Sequence, residues 1–230
     1  MIKINDLSLA KKIPEISRLN LHIDEGEAYV LLSYGDSVPY HLINIFSGLE
    51  KDFRGTVEVD HVGIMSDWDQ VNRRLVYLSS DGQWPRDMKV GHIVSFFKKT
   101  MNIPEDEFEE LYIKLNLEQN GKKRINELEE MEWRRILFSM ARLKGSKNYI
   151  IHDFVKGMPL DFNLEFKKSI HRLKKDGCSV LYLSDDVFFA PEIGDRIGFM
   201  KKGKLLLELK AAKMKNLSIK ELYFQFLLEQ

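Results

Sequence analysis

The chain carries a single cysteine, Cys178, among its 230 residues. That excludes an internal disulfide framework and any multi-cysteine metal site. Cys178 follows a turn glycine, and a small buried residue is the expected role rather than a nucleophile. Net charge is absent too: 35 Lys+Arg stand against 35 Asp+Glu. A nucleic-acid binder relying on overall positive charge is therefore not expected. No run approaches the ~18 consecutive apolar residues of a membrane span. The opening residues 1–16 lack the long apolar run of a secretory signal. Internal repeats and low-complexity linkers are missing as well. The expectation is a cytoplasmic protein that can still dock on a membrane protein.

What remains is ordinary globular material, 44% hydrophobic and 30% charged, which argues against global disorder. A fold of this size buries roughly 70–75% of its unfolded surface, so neither disulfide nor metal is needed for folding. Ile2, Ile4 and Leu7, then Leu19, Leu21 and Ile23, alternate as partly exposed strands do. Ala28–Leu32 is a continuous apolar run, the pattern of a strand covered on both faces. After the loop 33–39, residues 40–49 form a helix with Pro39 near its start and Gly48 near its end. Strand patterns return at Gly55–Val59 and Leu75–Leu78. From Val90 to about Leu143 the spacing is helical: Ile93, Phe96, Phe97 and Met101; Phe108, Leu111, Tyr112 and Leu115; then Met131–Arg142, with Pro104 opening the second stretch. Strands follow at Tyr149–Ile151 and Val180–Leu183, flanking a helix over Leu164–Leu173. A hairpin over Ile197–Met200 and Lys204–Glu208 and a helical tail at Ile219–Leu228 close the pattern. Strands alternating with helices, with a helical insertion, predict an α/β domain carrying a helical subdomain.

This order resembles the nucleotide-binding subunit of ABC transporters over nearly the whole chain. LNLHIDEGEAYVLLS resembles the strands entering the family's phosphate loop, and LINIFSGLEKDFRGTVEVD the helix and hairpin after it. RRLVYLSSDGQWPRDMKVGHIVSFF is similar to the Q-loop strand and the entry to the helical subdomain. INELEEMEWRRILFSMARL falls where the signature motif belongs, KNYIIHDF at the Walker B strand, and CSVLYLSDDV at the switch-histidine strand. The resemblance implies a P-loop NTPase-like ABC ATPase fold with N-terminal antiparallel β elements. It implies one domain over 1–230, with a helical subdomain at about 86–144.

The catalytic letters depart from the family. Its phosphate loop reads G-x-x-x-x-G-K-[ST]. The glycines align with Ser33 and Val38, the lysine with Pro39, and the Mg²⁺-binding hydroxyl with Tyr40, followed by His41. Val38 resists the backbone conformations that glycine allows. Pro39 brings neither N–H nor charge. Asp36 sets a negative charge where a phosphate would sit; a like-charge pair at 4 Å costs on the order of 4 kcal/mol at an effective dielectric near 20. With the lysine lost as well, at least roughly three decades of affinity go. The adenine-stacking aromatic aligns near Lys11 or Lys12, and the Q-loop glutamine with Ser80, Gln83 being out of register. The signature L-S-G-G-Q aligns with Leu128 to Glu132, so Glu129 and Glu130 would repel the γ-phosphate bound to an opposite subunit. Walker B keeps Asp153, but its catalytic glutamate aligns with Phe154, and the switch histidine with Asp185. The D-loop order is lost at Gly157–Asp161.

Each residue has a plainer reading. Asp153 is either a relic of metal binding or a polar cap at a strand end, the latter favoured. A new metal or acid–base site of His41, His152 and Asp153 is a weak signal. The Phe96, Phe97 and Met101 stripe is expected in the core, with part of it, together with Trp84, facing a partner. Lys122-Lys123-Arg124 is expected to be a solvated face. The function expected is non-catalytic: a pseudo-ATPase subunit, with no cofactor, serving a membrane ABC complex from the cytoplasmic face of the membrane. The partner would be a multi-span permease subunit, with a second ABC ATPase subunit or a second copy of the chain. The damaged signature favours an inactive homodimer or a subunit kept for binding alone over an alternating heterodimer. The alternatives are an atypical ABC ATPase exporting a peptide or lipid, and a soluble protein-binding module detached from transport.

Overall fold

A computed structural model describes residues 1–10, 14–33, 35, 37–80, 84–210, 219, 221, 222 and 224. Lys11, Lys12, Asp36, Gln83 and most of the C-terminal tail at Ile219–Leu228 lie outside the described residues. The chain divides into two compact units, one of Met1–Tyr77 with Ser146–Gln230 and one of Leu78–Gly145.

In the first unit, β1 (Ile2–Ala10) and β2 (Pro14–Ile23) run antiparallel. β3 (Ala28–Ser33) then leads to α1 (Val38–Phe46), β4 (Arg54–Val59) and β5 (Val62–Gly63). One sheet has the order β2-β1-β4-β5. Its register sets Ile2 opposite Ile23 and Val59, and Ile4 opposite Leu21 and Val57. All six side chains are buried, because alternate residues of paired strands share one face. The register shifts after Ile4, where Asp6 takes φ +48°. Gly55 packs against that irregularity at φ +93°, and a Cβ there would lie 2.4 Å from the Asn5 carbonyl oxygen. Only glycine fits.

After α2 (Trp68–Arg74) comes β6 (Leu75–Ser79), and past the helical unit β7 (Asn148–His152), α7 (Leu160–Lys175), β8 (Ser179–Ser184), α8 (Ala190–Ile193), β9 (Arg196–Lys201) and β10 (Lys204–Lys210). The second sheet has the order β10-β9-β3-β8-β7-β6. β3 lies parallel to both β8 and β9, and β7 parallel to β8. Every residue of β3 is buried, as its unbroken apolar run predicts. On α7 the buried residues are Phe162, Phe166, Ile170 and Leu173, the spacing of one helix face. Pro39 lies in the first turn of α1, and Gly48 beyond its end takes φ +74°, the left-handed helix stop.

The second unit holds α3 (Val90–Thr100), α4 (Glu105–Lys114), α5 (Leu117–Asn120), a 3₁₀ turn at Ile125–Glu127 and α6 (Glu130–Leu143). Val90, Ile93 and Val94 form the buried face of α3. Phe96 is 63% exposed, while Phe97 and Met101 are half-buried. The stripe expected in the core is therefore displaced: the core face is one turn earlier, and Phe96 points to solvent. Among the described residues no helix is long and apolar enough to cross a membrane.

Candidate functional site

In parallel α/β sheets ligands gather where the strands end at their carboxyl edge. Here β3, β7 and β8 deliver Ser33, Asp153 and Asp185 to that edge. Ser33 is 5% exposed, and its hydroxyl oxygen has no hydrogen-bond partner. Gly35 keeps φ +67° with open space where a Cβ would stand. Val38 is fully buried and joins Leu42, Ile45 and Phe46 in the core. Pro39 is buried in the first turn of α1, which carries no cationic or acidic side chain there. Tyr40 points to solvent at 64% exposure and stands edge-on to the His41 ring, 5.6 Å between centroids. The buried His41 presents Nε2 to the carboxylate of Glu15 on β2, and its Nδ1 has no partner. The turn from β3 into α1 is thus packed with apolar side chains and an imidazole–carboxylate pair, with no lysine.

The second cluster forms where β7 and β8 end together. Asp153 donates its N–H to the Leu183 carbonyl at 3.0 Å and takes φ +46°. Its side chain is only 10% exposed. Asp153 Oδ1 accepts from the Ser184 hydroxyl at 2.6 Å. The Lys156 ammonium lies 3.3 Å from Asp153 Oδ2 and 2.9 Å from Asp185 Oδ2. The hydrogen bond to Asp185, and then the charge of Asp153, hold that ammonium above the ordinary lysine range against a lowering contribution from burial. His152 Nε2 is 3.8 Å from Asp153 Oδ2. Phe154 is wholly buried, its ring 5.3 Å from Phe166 and 6.2 Å from Phe162 of α7. The side chain after Asp153 therefore belongs to the core.

His41, with Glu15 as its partner, and His152 beside Asp153 do not assemble into the metal site weighed from the sequence. Among the described residues no group of three His, Cys, Asp or Glu side chains is placed to hold a metal. Asp153 is both a strand-end cap, through Ser184, and an ion-pair partner. Lys156 and Glu15 went unnoticed in the sequence, where nothing in their spacing links them to Asp185 or His41.

Within the helical unit, Ser80, Trp84 and Glu130 line one polar cavity of about 120 Å³. Glu129 caps the start of α6, and its N–H donates to the Glu132 carboxylate at 3.1 Å. Trp84 is half-buried, edge-on to Trp133 at 5.4 Å and to Phe97 at 5.9 Å.

This architecture, a parallel core sheet with an antiparallel N-terminal sheet and a helical unit, is the ATP-binding-subunit fold of ABC transporters. A solved ATP-binding subunit of an ABC transporter superposes with a TM-score of 0.86 at 15% identity, over 99% of both chains. The cbiO1 protein of Clostridium perfringens, part of the ABC transporter complex cbiONQ, gives a TM-score of 0.76 at 18% identity, over 99% of this chain and 94% of its own. In sequence the chain is a distant homologue of ABC transporter ATP-binding proteins. It is 23% identical over 198 residues to the glutamine transport ATP-binding protein GlnQ of Geobacillus stearothermophilus, over 83% of this chain and 82% of the relative. No family model matches.

Proposed function

We propose that the chain is a non-catalytic, pseudo-ATPase subunit of a membrane ABC-type complex, acting as a structural or regulatory partner of a permease. The observation that carries this reading is the Lys156 ammonium held between Asp153 and Asp185. A magnesium–nucleotide needs a carboxylate, a hydroxyl and a cationic phosphate loop converging on one point. Here one Asp153 oxygen is taken by Ser184 and the other faces an internal cation. Tyr40, at the position of the metal-binding hydroxyl, is turned to solvent. Pro39 supplies no charge. Phe154, in the core, brings no carboxylate to the strand edge. The residues present do not fit Mg²⁺.

In this reading the subunit sits at the inner face of the cell membrane through its partner, alone, as a dimer, or beside an active ATPase subunit. The solvent-facing Phe96 of α3 is the docking candidate; Phe97 stands edge-on to it and Trp84 edge-on to Phe97, while Met101 is half-buried just beyond the helix. Calorimetry of the pure chain with Mg-ATP tests the catalytic part. The expected result is no binding at millimolar nucleotide, a limit of about −4 kcal/mol. Micromolar affinity, or turnover above a no-protein blank, would overturn the reading and favour an atypical ATPase.

A further inference from the structure

The helical unit holds a polar cavity of about 120 Å³. Its described lining includes Trp84, Arg86, Asn126, Glu130, Trp133 and Arg134. Trp133 is 4% exposed, and its indole N–H has no hydrogen-bond partner. A buried donor left unpaired costs about 1–3 kcal/mol, so an acceptor supplied at this wall is rewarded. Charge points the same way. Arg134 donates through Nε to Glu130 Oε1 at 3.0 Å, which balances that pair. Arg86 then leaves this named lining with one net positive charge.

The walls are held before any ligand arrives. Asn126 donates its N–H to the Arg86 carbonyl at 3.0 Å, and Arg124 Nη1 donates to the Asp87 carbonyl at 2.7 Å. Trp84 stands edge-on to Trp133 at 80°. Preformed walls lower the ordering cost of binding. Cavities of about 150 Å³ accept benzene, so this one takes a ligand of up to about six heavy atoms.

We propose that this cavity binds a small monocarboxylate. Its carboxylate accepts from Trp133 Nε1 and faces Arg86, and its short aliphatic part lies against Trp84. The site is separate from the Asp153 cluster, since none of its named contacts belongs to that cluster.

The test uses the full chain carrying Trp68→Phe, which leaves Trp84 and Trp133 as its indoles. Sodium propionate is titrated against indole emission, with sodium chloride at equal ionic strength and neutral propionamide as controls. Propionate is expected to give a saturable change with a midpoint below ~10 mM, a weak but specific affinity. The Trp133 indole N–H resonance is expected to shift with the same midpoint. Arg86→Gln, at an exposed position, retains the fold and is expected to raise the midpoint about fivefold or more, the loss of one ordinary polar interaction. N-acetylglutamate amide, too large to enter, is expected to bind at least about tenfold more weakly. The proposal is overturned if chloride or propionamide matches propionate, or if the Trp133 resonance stays still. It is equally overturned if Arg86→Gln leaves the midpoint unchanged, or if the blocked glutamate binds as well as propionate, which would assign the cavity to a partner's acidic side chain.

Discussion

At the residue scale, Val38, Pro39 and Phe154 are parts of a packed interior. Phe154 shows what this does to attempts at reversal. Its ring is fully buried against Phe162 and Phe166. Phe154→Glu therefore puts a carboxylate into an aromatic cluster instead of a water-filled edge. The lost packing alone costs roughly 3–5 kcal/mol, and desolvating the charge adds to it. The expected outcome is a fall of that size in urea-measured stability, with no gain in ATP turnover even when Pro39→Lys is added. Stable folding with clear turnover would show that the site is open. Gly198 offers a structural counterpart. A Cβ there would lie 2.3 Å from the Tyr29 hydroxyl oxygen. That hydroxyl donates to Glu208 at 2.9 Å, and burial, then the charge of Glu208, keep it protonated well beyond the ordinary tyrosine range. Gly198→Ala should cost roughly 1–3 kcal/mol, the usual range for overpacking. Adding Tyr29→Phe should recover part of that loss, because the two changes share one contact. Additive losses in the double variant would count against this account.

At the element scale, legibility followed burial. β3 announced itself because both faces are covered, and α7 because Phe162, Phe166, Ile170 and Leu173 mark one face. α2 left no pattern, since Val71 is its one buried residue and its start rests on Asp67 accepting from the Gln70 N–H at 2.9 Å. The letters at the expected phosphate-loop and signature positions were readable one by one. Their new partners were not: Lys156 and Asp185 are 29 residues apart, and only the parallel register of β7 and β8 brings them together. Trp84 was expected to face a partner; its ring also packs on Phe97 and Trp133, a contact no local spacing encodes. α7 also carries a titratable group with a definite sign. Burial first, then the charges of Lys174 and Lys167 on the same helix, hold His171 below the ordinary histidine range, with Asp195 opposing. The unfolded chain, at about 6.5, binds the proton more readily. Stability from this group is therefore complete above that value and is lost as pH falls through the lower folded value. Urea midpoints between pH 7.5 and 5 should fall less in His171→Gln than in the parent; equal falls would remove His171 as a cause.

At the scale of the whole molecule, the two compact units carry different constraints. The unit of Met1–Tyr77 and Ser146–Gln230 holds both sheets' cores and the closed Asp153–Lys156–Asp185 edge. Under the proposed reading, that edge need only fold. The unit of Leu78–Gly145 presents Phe96, whose α3 neighbours Val90, Ile93 and Val94 already supply the buried face. An aromatic left 63% exposed contributes little to folding, so Phe96→Asp should change stability by less than about 0.5 kcal/mol, as surface substitutions do. Trp84→Ala should behave differently, because it strips a half-buried ring from Phe97 and Trp133. About 2 kcal/mol is expected there, less than the full cost of a core tryptophan. Under the proposed reading, Phe96 anchors a permease and the carboxylate of Phe96→Asp would be driven into that interface. Loss of a central aromatic anchor commonly costs 2 kcal/mol or more, roughly thirtyfold in affinity. Affinity purification from detergent-solubilised native membranes, beside thermal melts of the same variants, measures both effects. A Phe96→Asp chain that melts with the parent and recovers no permease would support docking through α3. Full recovery of the permease by that variant would remove Phe96 as the anchor and move the partner's footprint off this face.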